Sequence, residues 1–390
     1  MRPRAAACAR AGTPAPATEM TTTDDGSMRR GSNPGLPVHK ALDLPDLADA
    51  SAQVSTGDLP NIDVVGESLR LAYRTFRDVD EGTVADYIPV LGAASPDLFG
   101  LAVVGVQGRS AVVGDAAYEF SIQSVSKPFV FALVCDALGH DAVRERLGVN
   151  ATGLPFNSVM AIELAGDRLT NPMVNAGAIA TTSLAPGDTA QQKWDFILEG
   201  LSKFAGRHLE VDEEVLESEI ATNGRNEALA RLLDGYGKMY FDADEATAIY
   251  TRQCALKVTT LDLAVMSATL ADGGVNPVTG ERVISANTCQ RTLALMLTAG
   301  LYELSGEWLY EIGLPAKSGV SGAIVTVAPG KGGLATFSPL LDPAGNSVRG
   351  QRATKLLSEL LGLNILASVP AERVVDHPVG TAPVVTPPAE

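Results

Sequence analysis

The sequence predicts an α+β protein. One antiparallel sheet draws its strands from both ends of the folded region, and a mostly helical block is inserted between them. Three observations carry that reading. Short apolar runs at 98–106 and 111–113 flank Gln-Gly-Arg, the pattern of a β-hairpin. Helical spacing dominates from about 190 to 300. Strand character then returns in GAIVTVAPGKGGLATFSPLLD, two β-rich runs joined at Pro-Gly-Lys-Gly-Gly. Strands this far apart pair most simply into one sheet, which leaves two lobes and a cleft.

Each element has its own signal. Residues 1–58 are rich in Pro, Ala, Gly, Ser and Thr without periodicity, and read as a disordered leader. Residues 366–390 have the same character and read as a tail. Between them, 59–365 forms the folded unit, with the helical lobe at about 140–300 and no internal repeat. Helical spacing at Val64, Leu69, Ala72, Tyr73 and Phe76 predicts a first helix over 63–77. After the hairpin, FSIQSVSKPFVFALVCDALG predicts an apolar helix beginning near Ser124. The segment NEALARLLDGYG ends a helix on Gly. Thr259 opens another with a T-T-L-D capping box, closed by Gly273-Gly274. A last helix at 352–361 completes the unit.

Composition narrows the function. Of 390 residues, 46% are hydrophobic and 19% charged, enough apolar material for a sizeable core. Lys and Arg number 30 against 46 Asp and Glu, a formal charge of −16. That surface repels phosphate backbones and anionic lipid, so neither nucleic acid nor membrane is an expected partner. Two Trp leave few platforms on which bases could stack. Cys8, Cys135, Cys254 and Cys289 form no C-x-x-C pair, which fits neither a disulfide framework nor a zinc site. Cys135 and Cys254 lie in apolar runs and read as small buried hydrophobes. His39, His140, His208 and His377 make no metal-ligand pattern, so any hydrolytic chemistry here uses another base. No uncharged apolar stretch reaches about 18 residues, and MRPRAAACARAGTPAPATEM lacks a signal-peptide core. The expected location is the cytoplasm.

Ser124-Val125-Ser126-Lys127 is an S-x-x-K. Residues i and i+3 share a helix face, so the hydroxyl and the amine come within hydrogen-bond reach. That spacing suits a serine nucleophile whose proton passes to a neutral lysine. A free lysine titrates near about 10.4, so such a base needs an apolar, buried setting. Pro128, Phe129, Val130 and Phe131 supply one. On the alternative reading, Ser124 is a helix cap and Lys127 snorkels outward. Lys317-Ser318-Gly319, directly ahead of a strand, favours the nucleophile. K-[ST]-G is the third element of the penicillin-recognising serine enzymes. There the strand edge borders the nucleophile helix and adds a backbone N–H to an oxyanion hole.

With these two motifs stand further segments: ADYIPVL, NPMVNAGAI, GRNEALA, IYTRQCAL, LADGGVNPVTGERVIS, AGLYELSGEW and FSPLLDPAGNSVRG. Together they resemble the serine-dependent glutaminase family, of β-lactamase/transpeptidase-like fold, from about 60 to 362. The likeness is to the compact bacterial-type form, without the ankyrin repeats of animal members.

The resemblance implies hydrolysis of L-glutamine to L-glutamate and ammonia through a γ-glutamyl ester. It implies no metal or organic cofactor, and a homodimer or homotetramer. By position, Ser124 is the nucleophile and Lys127 its base, and Tyr302 passes a proton to the departing ammonia. The amides of Ser124 and Val320 form the oxyanion hole. Tyr87, Asn175, Glu219, Asn226 and Tyr250 hold the amino-acid end of the substrate.

Glutamine's physical demands agree with that set, because its carboxylate and ammonium are costly to bury unpaired. Glu219 is the natural counter-ion for the ammonium. Asn175, Asn226, Tyr87 and Tyr250 offer neutral donors to the carboxylate. SEIATNGRN keeps the family's seven-residue spacing from Glu219 to Asn226 but differs between them. Asn171 reads as structural, starting the turn before Pro172. Two other readings stand beside this one. Another serine hydrolase of the same fold should carry an S-D-N or Y-x-N between the lysine motifs, and neither occurs. A catalytically silent amino-acid-binding protein would have no need of Ser124, Lys127, Tyr302 and Lys317 together.

Overall fold

The hairpin forms where the sequence places it, as β1 (Gly100–Gly105) and β2 (Ser110–Gly114), antiparallel with Gly100 opposite Gly114. The computed structural model describes residues 57–368. Apart from 57, 58 and 366–368, the expected leader and tail lie outside the described residues. A two-residue strand, β3 (Phe120–Ser121), pairs with β4 (Lys257–Val258); both are too short to leave a periodic trace in the sequence. The late strands are β5 (Ala316–Ser318), β6 (Ala323–Ala328) and β7 (Gly332–Phe337). They join the hairpin in an antiparallel sheet of order β2-β1-β7-β6-β5, so the first and last strands of the chain lie side by side.

Successive residues of β1 point to opposite faces of the sheet and enter two separate cores. Leu101 and Val103 pack with Val65 and Leu69 of α1 (Ile62–Phe76). Ala102 and Val104 pack into the helical lobe. That double burial explains an uninterrupted apolar strand, whereas edge strand β2 alternates between covered and exposed residues. A fully buried Leu such as Leu69 is worth about 2 kcal/mol of transfer free energy.

The helical lobe contains α2 (Ser126–Leu138), α3 (Asn175–Ser183), α4 (Ala190–Ala205), α5 (Glu213–Thr222) and α6 (Gly224–Gly235). It continues with α7 (Ala243–Cys254), α8 (Thr260–Ala271) and α9 (Ala286–Ala299). Ten consecutive residues of α2, Ser126 to Cys135, are buried, so it is the lobe's central helix. The capping box at Thr259 and Asp262 starts α8 as expected. This helix lies directly on the sheet at Gly333, where a Cβ would come within 2.3 Å of the Ala268 nitrogen.

Three boundaries differ from the sequence reading. The segment that carries Ser124 begins as a 3-10 turn over Gln123–Val125, and the α-helix proper starts at Ser126. Lys317 and Ser318 stand ahead of β6 as expected, but they lie in a short strand of their own, β5. The last helix, α10 (Val348–Leu360), starts four residues before the expected 352. Gly350 is a poor helix former and hides that first turn. The Ser347 side chain caps it by accepting from the Gly350 N–H at 3.2 Å, and Arg349 anchors it through the Val79 and Pro96 carbonyls.

Candidate active site

The turn that carries Ser124 is held under strain. Gln123 has φ +51, left-handed for a residue with a side chain, which costs on the order of 1 kcal/mol or more. Its surroundings hold it there. The Gln123 carbonyl accepts from Ser126 Oγ at 2.8 Å, and Ser126 Oγ accepts from Gln253 Nε2 at 2.9 Å. Gln123 Nε2 donates to Ser121 Oγ and to Glu219 Oε1. The turn is thereby tied to both α7 and α5.

One turn later, Lys127 Nζ lies 3.0 Å from Ser124 Oγ and 2.7 Å from Asn175 Oδ1. Lys127 is 1% exposed, which rules out the outward-snorkelling alternative. Its other neighbours are the rings of Phe156 and Tyr250, each 5.9 Å from Nζ. Burial among uncharged groups disfavours the ammonium and lowers the Lys127 pKa to about 8.

Lys317 is fully buried on β5, not solvated at the sheet edge. Its ammonium donates to the Ser318 carbonyl at 2.7 Å and sits 4.3 Å from the centre of the Tyr302 ring. Burial, then the positive charge of Lys127, holds its pKa well below the ordinary lysine value. Tyr302, also left-handed at φ +58, turns its hydroxyl toward Ser124 and donates to the Ser318 carbonyl at 3.1 Å. Desolvation pushes its phenol up, so it stays protonated at neutral pH.

Gly319 seats this loop on the turn that carries Ser124, because a Cβ there would lie 3.0 Å from Val125 and 3.3 Å from the Ile122 carbonyl. Val320 follows it, packs with Tyr302, and its N–H donates to no described backbone or side-chain acceptor.

The second cluster lies on α3, α5, α6 and α7. Asn175 Nδ2 donates to Asn226 Oδ1 at 2.9 Å, and the Tyr250 hydroxyl donates to Asn175 Oδ1 at 3.4 Å. Burial around the Glu219 carboxyl raises its pKa to about 7, against the opposing pull of the Gln123 bond. Tyr87 is 55% exposed, and its phenol is pushed up by burial of its tip and by the nearby Glu219 charge. Thus Ser124, Lys127, Tyr302, Val320, Asn175, Glu219, Asn226, Tyr250 and Tyr87 are linked through direct contacts or shared neighbours.

Sequence reasoning assigned no role to Gln123, Phe156, Asn223 or Thr251, which brace these groups. Gln123 stands inside QSVSKP and Asn223 lies one helical turn from Asn226, so spacing could have pointed to both. Cys254 is buried as expected, but beside Tyr250 and Lys127, and burial pushes its thiol up to about 12. Asn171 is structural: Oδ1 accepts from the Met173 N–H at 2.9 Å and Nδ2 donates to the Asn150 carbonyl at 2.8 Å. His140 pairs with Asp141, away from Ser124. A pocket of about 120 Å³ beside Asn61, Arg109 and Lys331 shares no residue with the site. Among the described residues, no His, Cys, Asp and Glu side chains cluster as a metal would need, and no helix is long and apolar enough to cross a membrane.

Comparison with known proteins places this geometry in a family. The family model described as Glutaminase matches residues 82–366. Glutaminase 2 of Yersinia pestis is 56% identical over 317 residues, covering 81% of this chain and 93% of that protein. The solved structure of a probable glutaminase, ybaS, superposes with a TM-score of 0.78 at 44% identity, covering 79% of this chain and all of that one. Mglu in its glutamate form superposes with a TM-score of 0.74 at 40% identity, over 78% of this chain and 71% of its own. The antiparallel sheet with its helical lobe is accordingly the β-lactamase-like fold of those enzymes. Neither a penicillin-type hydrolase nor a silent binder accounts for likeness of this extent; the chain belongs to the glutaminase family.

Proposed function

We propose that the protein hydrolyses L-glutamine to L-glutamate and ammonia by a Ser–Lys mechanism, and that residues 59–365 form the catalytic unit. The observation that carries the mechanism is the 3.0 Å contact between Ser124 Oγ and a buried Lys127 with no carboxylate beside it. A lysine in that setting gives up its proton near neutral pH and can then take one from serine.

Ser124 Oγ attacks the side-chain carbonyl carbon of glutamine as its proton passes to Lys127 Nζ. The carbonyl oxygen becomes an oxyanion, which accepts from the Ser124 and Val320 N–H groups. Collapse of this tetrahedral intermediate breaks the C–N bond. Tyr302, whose hydroxyl faces Ser124, passes the proton taken up by Lys127 on to the nitrogen, and ammonia leaves a γ-glutamyl ester on Ser124. Water then attacks the ester with the same groups acting in reverse, which frees glutamate and restores the Ser124 hydroxyl.

At the other end, Glu219 takes the substrate ammonium, and its raised pKa falls once that cation arrives. Asn175, Asn226, Tyr250 and Tyr87 donate to the carboxylate. Support for these roles comes from the clustering of the side chains and from the spacing they share with the family.

The test measures ammonia and glutamate release from L-glutamine, with L-asparagine and the Ser124→Ala protein as controls, and hydroxylamine present to trap the ester as γ-glutamyl hydroxamate. The expected result is release from glutamine, hydroxamate formation by the wild type, and neither by Ser124→Ala. Wild-type turnover in Ser124→Ala would exclude the serine ester.

A further inference from the structure

We propose that Asn223 and Thr251 are positioning residues for this reaction, acting through a relay of side-chain amides that ends on Lys127. The proposal rests on the Ser124–Lys127 reading above. The relay starts in α7, where the Thr251 hydroxyl donates to the Thr247 carbonyl at 2.9 Å. With its only proton committed, Thr251 Oγ1 can only accept, and it accepts from Asn223 Nδ2 at 2.8 Å. Asn223 Oδ1 then accepts from Asn226 Nδ2 at 2.8 Å, and Asn226 Oδ1 from Asn175 Nδ2 at 2.9 Å. The oxygen left over is Asn175 Oδ1, which faces Lys127 Nζ at 2.7 Å.

A side-chain amide presents a donor at one end and an acceptor at the other. Turning over any single member of this chain would set N–H against N–H or oxygen against oxygen. The Thr251 hydroxyl therefore decides the orientation of all three amides. Two consequences reach the chemistry. Asn175 Oδ1 takes one N–H of Lys127, which leaves the lone pair of the neutral amine free to face Ser124. The second N–H on Asn175 and on Asn226 is left for the substrate carboxylate.

Neither positioning residue is placed to touch the reacting atoms. Thr251 is buried in α7, and Asn223 sits at the break between α5, which carries Glu219, and α6, which carries Asn226. The backbone carbonyl of Asn223 accepts from the Asn226 and Glu227 N–H groups, so α6 keeps its start when the Asn223 side chain is shortened.

The experiment compares Thr251→Val, Thr251→Ser, Asn223→Ala and Ser124→Ala with the wild type, measuring kcat and KM for L-glutamine across pH together with thermal melting. Valine keeps the shape of threonine but removes the acceptor. We expect kcat to fall about tenfold, the scale of one lost buried hydrogen bond. The acid limb of kcat should also move to lower pH, because Lys127 loses an acceptor that favours its charged form. The other titratable groups facing Lys127 are Lys317 on β5 and Cys254 and Tyr250 on α7, with Glu219 and Tyr302 acting on Tyr250 in turn, and every variant retains them. Asn223→Ala should reproduce the Thr251→Val profile, and Thr251→Ser, which keeps the hydroxyl, should return it toward wild type. An acid limb unmoved in both Thr251→Val and Asn223→Ala, with Ser124→Ala inactive, overturns the relay and leaves the Ser–Lys reading standing. Failure of Thr251→Ser to rescue a shifted profile also overturns it. Turnover by Ser124→Ala would remove the Ser–Lys reading and the relay with it.

Discussion

At the end of the site that carries Ser124, Lys127 and Lys317 are both buried and neither meets a carboxylate; their partners are a hydroxyl, an amide oxygen, a backbone carbonyl and aromatic rings. Around Glu219 the arrangement is reversed: a carboxyl group without a cationic partner, its pKa raised to about 7 by burial, stands beside a half-exposed Tyr87. The difference follows from what each end must do. A base has to be neutral part of the time, and withholding a counter-ion while excluding water achieves that. A subsite for a charged amino acid instead gains from holding one unmatched charge that the substrate completes, and from an opening through which the substrate arrives.

The largest test of the contrast is to remove the buried base. Lys127→Ala should lower kcat by about 10³-fold, within the span general-base catalysis supplies, while KM changes little. Lys127→Arg should not restore the rate, because arginine stays protonated at any working pH. Substantial activity in the arginine protein would mean that Lys127 serves as a charge and not as a base.

Next in size is the opposite charge. Glu219→Gln should raise KM for L-glutamine about 10- to 100-fold, the range expected for a hydrogen bond to a charged group, with a smaller change in kcat. The bond from Gln123 complicates the variant, because the new amide must turn its oxygen toward Gln123 Nε2. Glu219→Asp separates the effects, since it keeps the charge and shortens the reach. A fall in kcat with KM unchanged would move Glu219 from substrate holding to the chemical step.

The two ends should also part along the pH axis. Lys127 works only when neutral, so kcat should rise with pH through about 8 and fall away on the acid side. Glu219 binds an ammonium only when charged, so KM should rise as pH drops below about 7 in the free enzyme. Separate limbs in kcat and KM, each removed by its own substitution, are the expected pattern. A single limb shared by both parameters would mean that the two ends titrate together.

How much of this was readable in advance depends on what each residue does. Strand and helix positions came from periodicity, because β1 and α8 are built of residues whose burial decides their place. The contact between Ser124 and Lys127 came from spacing, since one helical turn fixes their distance. Spacing marks Gln123 and Asn223 as neighbours of Ser124 and Asn226, but their bonding, like that of Thr251, stayed hidden. It lies in which way a side chain points after α5, α6 and α7 have packed together, and no local pattern records that. The left-handed backbone at Gln123 and Tyr302 is equally silent, because neither residue type favours it. Burial of Lys317 was hidden too, as an edge-strand lysine ordinarily faces water.

The smallest expected effect comes from the most open member of the site. Tyr87→Phe removes a hydroxyl whose tip is covered near Glu219, but the side chain that carries it is 55% exposed and so holds the bond to substrate less firmly than a buried partner. KM should rise by about two- to fivefold, since a net hydrogen bond is worth about 0.5–1 kcal/mol in such a setting. Tyr250→Phe makes the informative partner, because that hydroxyl is buried and already bound to Asn175 Oδ1. Its loss should cost more than the loss at Tyr87 and should reach kcat, through the amide that Lys127 also touches. Equal effects from the two tyrosines would show that exposure does not divide the site, and the contrast between its ends would then rest on charge alone.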